Sequence, residues 1–145
     1  MLKMKILLAL AGLNLVASAT PISVGNAIVK QLEVFVGNGG KLASKEAADQ
    51  VILTLGQFDM ATTGFSKDDL DQQKHFFYTY ILGIVEVHKS GLDQALTTKA
   101  VNNFNHSMKL KLREMFRPPR DQMDNTLDVI GMSLEGYIRL HGVGN

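Results

Sequence analysis

Leu92, Leu96, Ala100, Phe104, Met108 and Leu112 fall at successive fourth positions, with Met115 close behind, before Pro118-Pro119 closes the run. Apolar residues at this spacing lie along one side of an α-helix, and two prolines cannot continue it. The same period returns along the chain wherever glycine or proline does not interrupt. It predicts a first helix from Val24 to Val36 behind Ser23, with Ile28, Leu32 and Phe35 on one face and Gly37-Asn38-Gly39-Gly40 at its end. A second helix, from Lys45 to Ala61 behind Ser44, turns Ala48, Val51, Ile52, Leu55 and Phe58 inward and stops at Thr62-Thr63-Gly64. Ser66-Lys67-Asp68-Asp69 opens a third, whose early acids suit the positive end of the helix dipole. Its stripe is Leu70, Phe77, Ile81, Ile84 and His88, and it ends at Ser90-Gly91. Tyr78 to Val87 is also rich in aromatic and β-branched residues, so a strand stays open there. The helix built on Leu92 to Leu112 is the fourth. A fifth, from Arg120 to His141, carries Met123, Leu127, Ile130, Leu134 and Ile138 on one face. Short connections between long amphipathic helices favour antiparallel neighbours, so the expected fold is all-α, an up-and-down bundle of about five helices.

The start of the chain follows different rules. Lys3 and Lys5 supply a positive start, Ile6 to Val16 an apolar stretch broken by Gly12 and Asn14, and Ala17-Ser18-Ala19 a small-x-small pattern. These three features in this order define a secretory signal peptide over residues 1–19, cleaved before Thr20. The apolar stretch is about half the ~20 residues needed to span a bilayer, so no transmembrane anchor is expected in the mature chain. Residues 20–145 then form a single domain, which the expectation places outside the cell.

Removing Lys3 and Lys5 takes the formal net charge from +1 to −1. A near-neutral domain lacks the cation surplus that general nucleic-acid binding requires. The chain has no cysteine, which rules out a disulfide scaffold, thiol chemistry and Cys-ligated zinc. The domain must therefore rely on its apolar core alone.

No motif assigns a catalytic residue, a cofactor or a metal. His75, His88, His106 and His141 never approach a His-Glu-x-x-His spacing. Ser133 sits in Gly131-Met132-Ser133-Leu134-Glu135, which lacks the final glycine of a nucleophile elbow. Asp68, Asp69 and Asp71 are explained by helix capping rather than by a cation. Gly37-Asn38-Gly39-Gly40-Lys41 resembles a phosphate-cradling loop only superficially and reads as an interhelical turn. Arg117-Pro118-Pro119-Arg120 offers a minimal processing site that its prolines make unattractive.

Three features carry more weight. Lys109, Arg113 and Arg117 step down one side of the fourth helix towards Arg120, as a candidate patch for a carboxylate, lipid headgroup or acidic partner. Met60, Met108, Met115, Met123 and Met132 are expected in the core, and with Gly83, Gly131 and Gly136 inside helices they suggest either close helix approach or an apolar cavity. Phe77, Ile81, Phe104, Met108 and Leu127 are the residues expected to line such a cavity. Asn105-His106-Ser107 is an N-glycosylation acceptor, with Asn105 as the attachment point. The function expected from these features is a secreted, non-enzymatic protein that binds a macromolecular partner, a protein or surface, through a helix face. The alternative is a carrier that holds a fatty acid or similar apolar ligand inside the bundle.

Overall fold

The computed structural model describes residues 21–115 and 120–143. The expected signal peptide and its cleavage point lie outside these residues. Among them every regular element is helical: α1 (Pro21–Gly37), α2 (Lys45–Leu55), α3 (Met60–Thr63), α4 (Lys67–Gln72), α5 (Lys74–Lys89), α6 (Gln94–Met115) and α7 (Arg120–His141). Tyr78 to Val87 is helix, so the strand reading fails. In an all-helical bundle those side chains find packing on several sides without a sheet.

The boundaries differ from expectation where local caps intervene. α1 begins at Pro21, which fits a helix's first turn because it has no N–H to satisfy, and Ser23 lies inside that turn instead of capping it. Ser44 does cap α2, its Oγ accepting from Ala47 N–H at 3.2 Å. That helix ends at Gly56, whose N–H returns to Ile52 O, rather than running on to Ala61. Asp59 then caps the single turn α3 by accepting from Thr62 N–H at 2.9 Å, and Gly64 closes it at φ +82°. The expected third helix is also split, at Gln73, into α4 and α5. The split accompanies burial of Leu70 on one side and of the adjacent, edge-to-face Phe76 and Phe77 on the other. Asp93 caps α6 through Leu96 N–H at 2.8 Å, leaving Leu92 in the preceding turn.

Contacts between distant residues fix the helix directions. Lys109 meets Asp128 and Arg113 meets Asp124, so α6 and α7 are antiparallel. Tyr80 reaches Leu127 O and His88 reaches Glu135, so α5 and α7 are parallel. Ser133 reaches Gly25 O and His141 faces Glu33, so α1 and α7 are parallel as well. α2 runs the other way: its start lies by Tyr78, Asp49 meets Lys74, and Gly56 just past its end lies by Leu70 and Asp71, so α2 is antiparallel to α5. The five longer helices thus alternate up and down, and the first and last lie side by side. Ile28, Leu32, Leu55, Phe77, Tyr80, Ile81, Ile84, Leu112, Ile130 and Leu134 form the fully buried centre. No helix of the described residues is long and apolar enough to cross a membrane.

Candidate functional site

The candidate cation patch is matched by acids of the neighbouring helix. Lys109 Nζ lies 2.8 Å from Asp128 Oδ2, and Arg113 donates to Asp124 Oδ2 from Nη2 at 2.5 Å and from Nε at 3.2 Å. These pairs pin α6 to α7, so the sequence spacing identified an interhelical seam. Arg117 lies outside the described residues, and the placement of Arg120 is described for its backbone alone.

The five candidate cavity residues are core. Phe77, Ile81, Met108 and Leu127 are buried, and Phe104 is half-buried with its ring stacked on Tyr80 at 5.8 Å and 16°. Two of the interior glycines are explained by close approach. A Cβ on Gly83 would fall 2.3 Å from the Phe104 ring, and one on Gly131 would fall 2.4 Å from the Tyr80 hydroxyl. Gly136 has open space instead. The methionine reading needs correction: Met108 and Met123 are core, whereas Met60, Met115 and Met132 are exposed. Met115 stands on the last turn of α6 and Met60 on the single turn α3, where too few neighbours pack around them.

Asn105 faces inward. Its Oδ1 accepts a hydrogen bond from the Tyr80 hydroxyl, and its Nδ2 would lie 3.3 Å from a Cβ on Gly131. The amide is thus held between α5, α6 and α7, and glycan attachment would have to pull it out. Burial, followed by the negative charges of Asp128 and Glu135, pushes the Tyr80 phenol well above its ordinary range.

Three surface features went unread in the sequence. His88 and Glu135, both largely buried, are joined by a hydrogen bond across α5 and α7. They border an open depression of about 360 Å³ that Thr98 and Arg139 also line. Nothing in local spacing announces a pair separated by 47 residues. The second feature is a depression of about 550 Å³ where α1 and α7 end, lined by Glu33, the glycine turn, Tyr137 and His141.

The third is a groove of about 300 Å³ along the outer seam of α1 and α7, lined by Gly25, Asn26, Val29, Val129, Met132, Ser133 and Gly136. Its floor is low because Gly25 lets the helices approach; a Cβ there would sit 3.1 Å from Ser133 Oγ and Val129. Ser133 Oγ donates to Val129 O at 2.7 Å and hides its polarity in the helix backbone. Met132 rises beside the groove at 67% exposure, and Leu140, two turns further along α7, is 78% exposed. The groove therefore combines small residues, apolar lining and the exposed Met132, which the core does not use. Among the described residues no group of three or more acidic or histidine side chains could hold a metal ion.

Comparisons of the chain with protein-family models, with curated proteins and with solved structures find no match.

Proposed function

We propose that this chain is a secreted, non-enzymatic binding protein that receives the apolar face of a partner helix along the α1–α7 seam. The observation that carries the reading is Met132, a large apolar side chain two-thirds exposed at the edge of a groove floored by Gly25, Ser133 and Gly136. Helix-in-groove recognition lays the apolar side chains of a partner helix into such a groove, and small residues let the partner backbone come close. The polar face of such a partner would remain in water. Export follows from the leader, whose lysines, apolar stretch and Ala17-Ser18-Ala19 supply the three parts of a signal peptide.

The test is comparative capture from the medium of the producing cells, using wild type and the pair Met132→Glu and Leu140→Glu. Both positions are exposed, so the variants should melt as wild type does by circular dichroism. A partner retained by wild type and lost with Met132→Glu supports the seam. Equal retention by all three proteins places the interaction elsewhere. A fatty acid that co-purifies in native mass spectrometry would instead favour a carrier. Purified extracellular protein beginning at Met1 would remove the secretion reading.

A further inference from the structure

Gly37 to Lys41, the end of α1 and the turn after it, carry three glycines and a lysine, as an anion cradle would, but the turn's amides point the other way. Asn38 N–H donates to Val34 O at 3.0 Å, Gly39 N–H to Val36 O at 3.0 Å and Gly40 N–H to Phe35 O at 2.9 Å. Each amide closes a carbonyl at the end of α1, and Gly39 reaches its bond only by adopting φ +95°. The turn is also locked in place, because a Cβ on Gly40 would fall 2.4 Å from the Phe35 ring. These three donors are spent inside the cap and are not offered to a ligand.

The remaining chemistry favours positive charge. α1 and α7 are parallel, so their carbonyl ends, the negative poles of two helices, meet at the same depression. Glu33 stands on its wall, and His141 Nε2 is 3.7 Å from Glu33 Oε2, within ion-pair distance but beyond hydrogen-bond range. The carboxylate therefore retains acceptor capacity. Beside it the exposed His141 ring packs on the buried Tyr137 ring with centroids 4.5 Å apart, so the aromatic surface within reach of a cation at the acid is that of His141. The depression, about 550 Å³, falls in the range of small-molecule sites.

We propose that this depression binds a small organic ammonium ion, with Glu33 as its counter-ion and the exposed His141 ring, backed by the buried Tyr137, as its wall. Burial and the neighbouring Glu33 charge both raise the Tyr137 phenol, so it stays neutral beside the acid. Lys41 lines the same space from an exposed, flexible stem and competes with the ligand. Removing its charge should therefore strengthen binding, which is the opposite of what an anion site requires. The site is separate from the groove proposed for a partner helix, which opens further towards the start of the same two helices.

Calorimetric titration of the purified protein with tetramethylammonium chloride tests the proposal. The expected result is saturable binding that weakens about tenfold in Glu33→Gln and tightens in Lys41→Met. Glu33 and Lys41 are both on the surface, so neither change should unfold the protein, and a thermal melt checks this. Sedimentation with phosphatidylcholine vesicles separates two sources of the same chemistry. Co-sedimentation lost in Glu33→Gln assigns the ammonium to a lipid headgroup, whereas binding of the free ion alone assigns it to a soluble amine. Absence of saturable binding at millimolar tetramethylammonium overturns the site. So does inorganic phosphate binding that Lys41→Met abolishes.

Discussion

Two glycines of α7, five residues apart, illustrate how one residue type answers to opposite demands. Gly131 lies under the Tyr80 hydroxyl, and Gly136 meets nothing within 4 Å. Alanine gains helix propensity at either position, by about 1 kcal/mol. At Gly136 that gain stands alone, so Gly136→Ala should raise the urea midpoint. At Gly131 the new methyl displaces a buried phenol that has no room to move, which costs about 1–3 kcal/mol and outweighs the gain. Gly131→Ala should therefore lower the midpoint, and a rise in both variants would contradict the close approach of Tyr80 to α7. The same phenol sets a pH limit. Because the fold raises the Tyr80 pKa above the unfolded value of about 10, the native state holds its proton more tightly than the unfolded state does. Its contribution is complete below about pH 10 and is lost as the pH rises beyond that. Urea midpoints should fall between neutral and strongly alkaline pH, and the fall should be shallower in Tyr80→Phe. The remaining slope belongs in part to Tyr137, which burial and Glu33 shift the same way.

At the scale of the helix, α6 shows what periodicity can and cannot give. Steps of four residues advance about 400° round a helix of 3.6 residues per turn, so each step drifts by about 40°. Between Leu96 and Leu112 the drift reaches about 160°, which places the two ends of the stripe on nearly opposite sides. Leu96 is 50% exposed and Leu112 fully buried, with Val101 and Met108 completing the true inner face. Leu96→Ser should shift stability by no more than about 0.5 kcal/mol, whereas Leu112→Ala should cost about 2–5 kcal/mol. Comparable losses at both positions would mean that α6 is rotated about its axis so that Leu96 also turns inward. α7, whose apolar residues fall at steps of four, three, four and four, drifts far less, and Met123, Leu127, Ile130, Leu134 and Ile138 are all buried as its pattern implies. Helix type and most starts were legible from apolar period and caps. The interruptions at Gly56 and Gln73 were not, because a strong apolar pattern continues across both. Pairing was the least legible. Lys109 and Arg113 were visible as cations, but Asp128 and Asp124 become their partners only once α6 and α7 are laid antiparallel. The seam groove was hidden for the same reason, since Gly25 and Met132 belong to opposite ends of the chain.

At the scale of the whole molecule, three helices point one way and two the other. α1, α5 and α7 therefore bring their carbonyl ends to one end of the bundle, while α2 and α6 begin there. This polarity gives the two ends of the bundle different chemistry without a large net charge. At one end lie Glu33, the glycine turn and the His88–Glu135 pair; at the other, Thr126 Oγ1 donates to Thr63 O at 2.7 Å and ties α3 to the start of α7. The side of the bundle between these ends holds the groove.

The adjacency of α1 and α7 also has a meaning in time. Synthesis makes α1 first among the described helices and α7 last, and Ser133 must find Gly25 across 108 residues. Until α7 exists, α1 has α2 beside it but an open flank where α7 belongs. The bundle closes only once α7 has been made and has found α1. The order of synthesis therefore leaves the partner that completes the α1 side of the core until after every other described helix has been made.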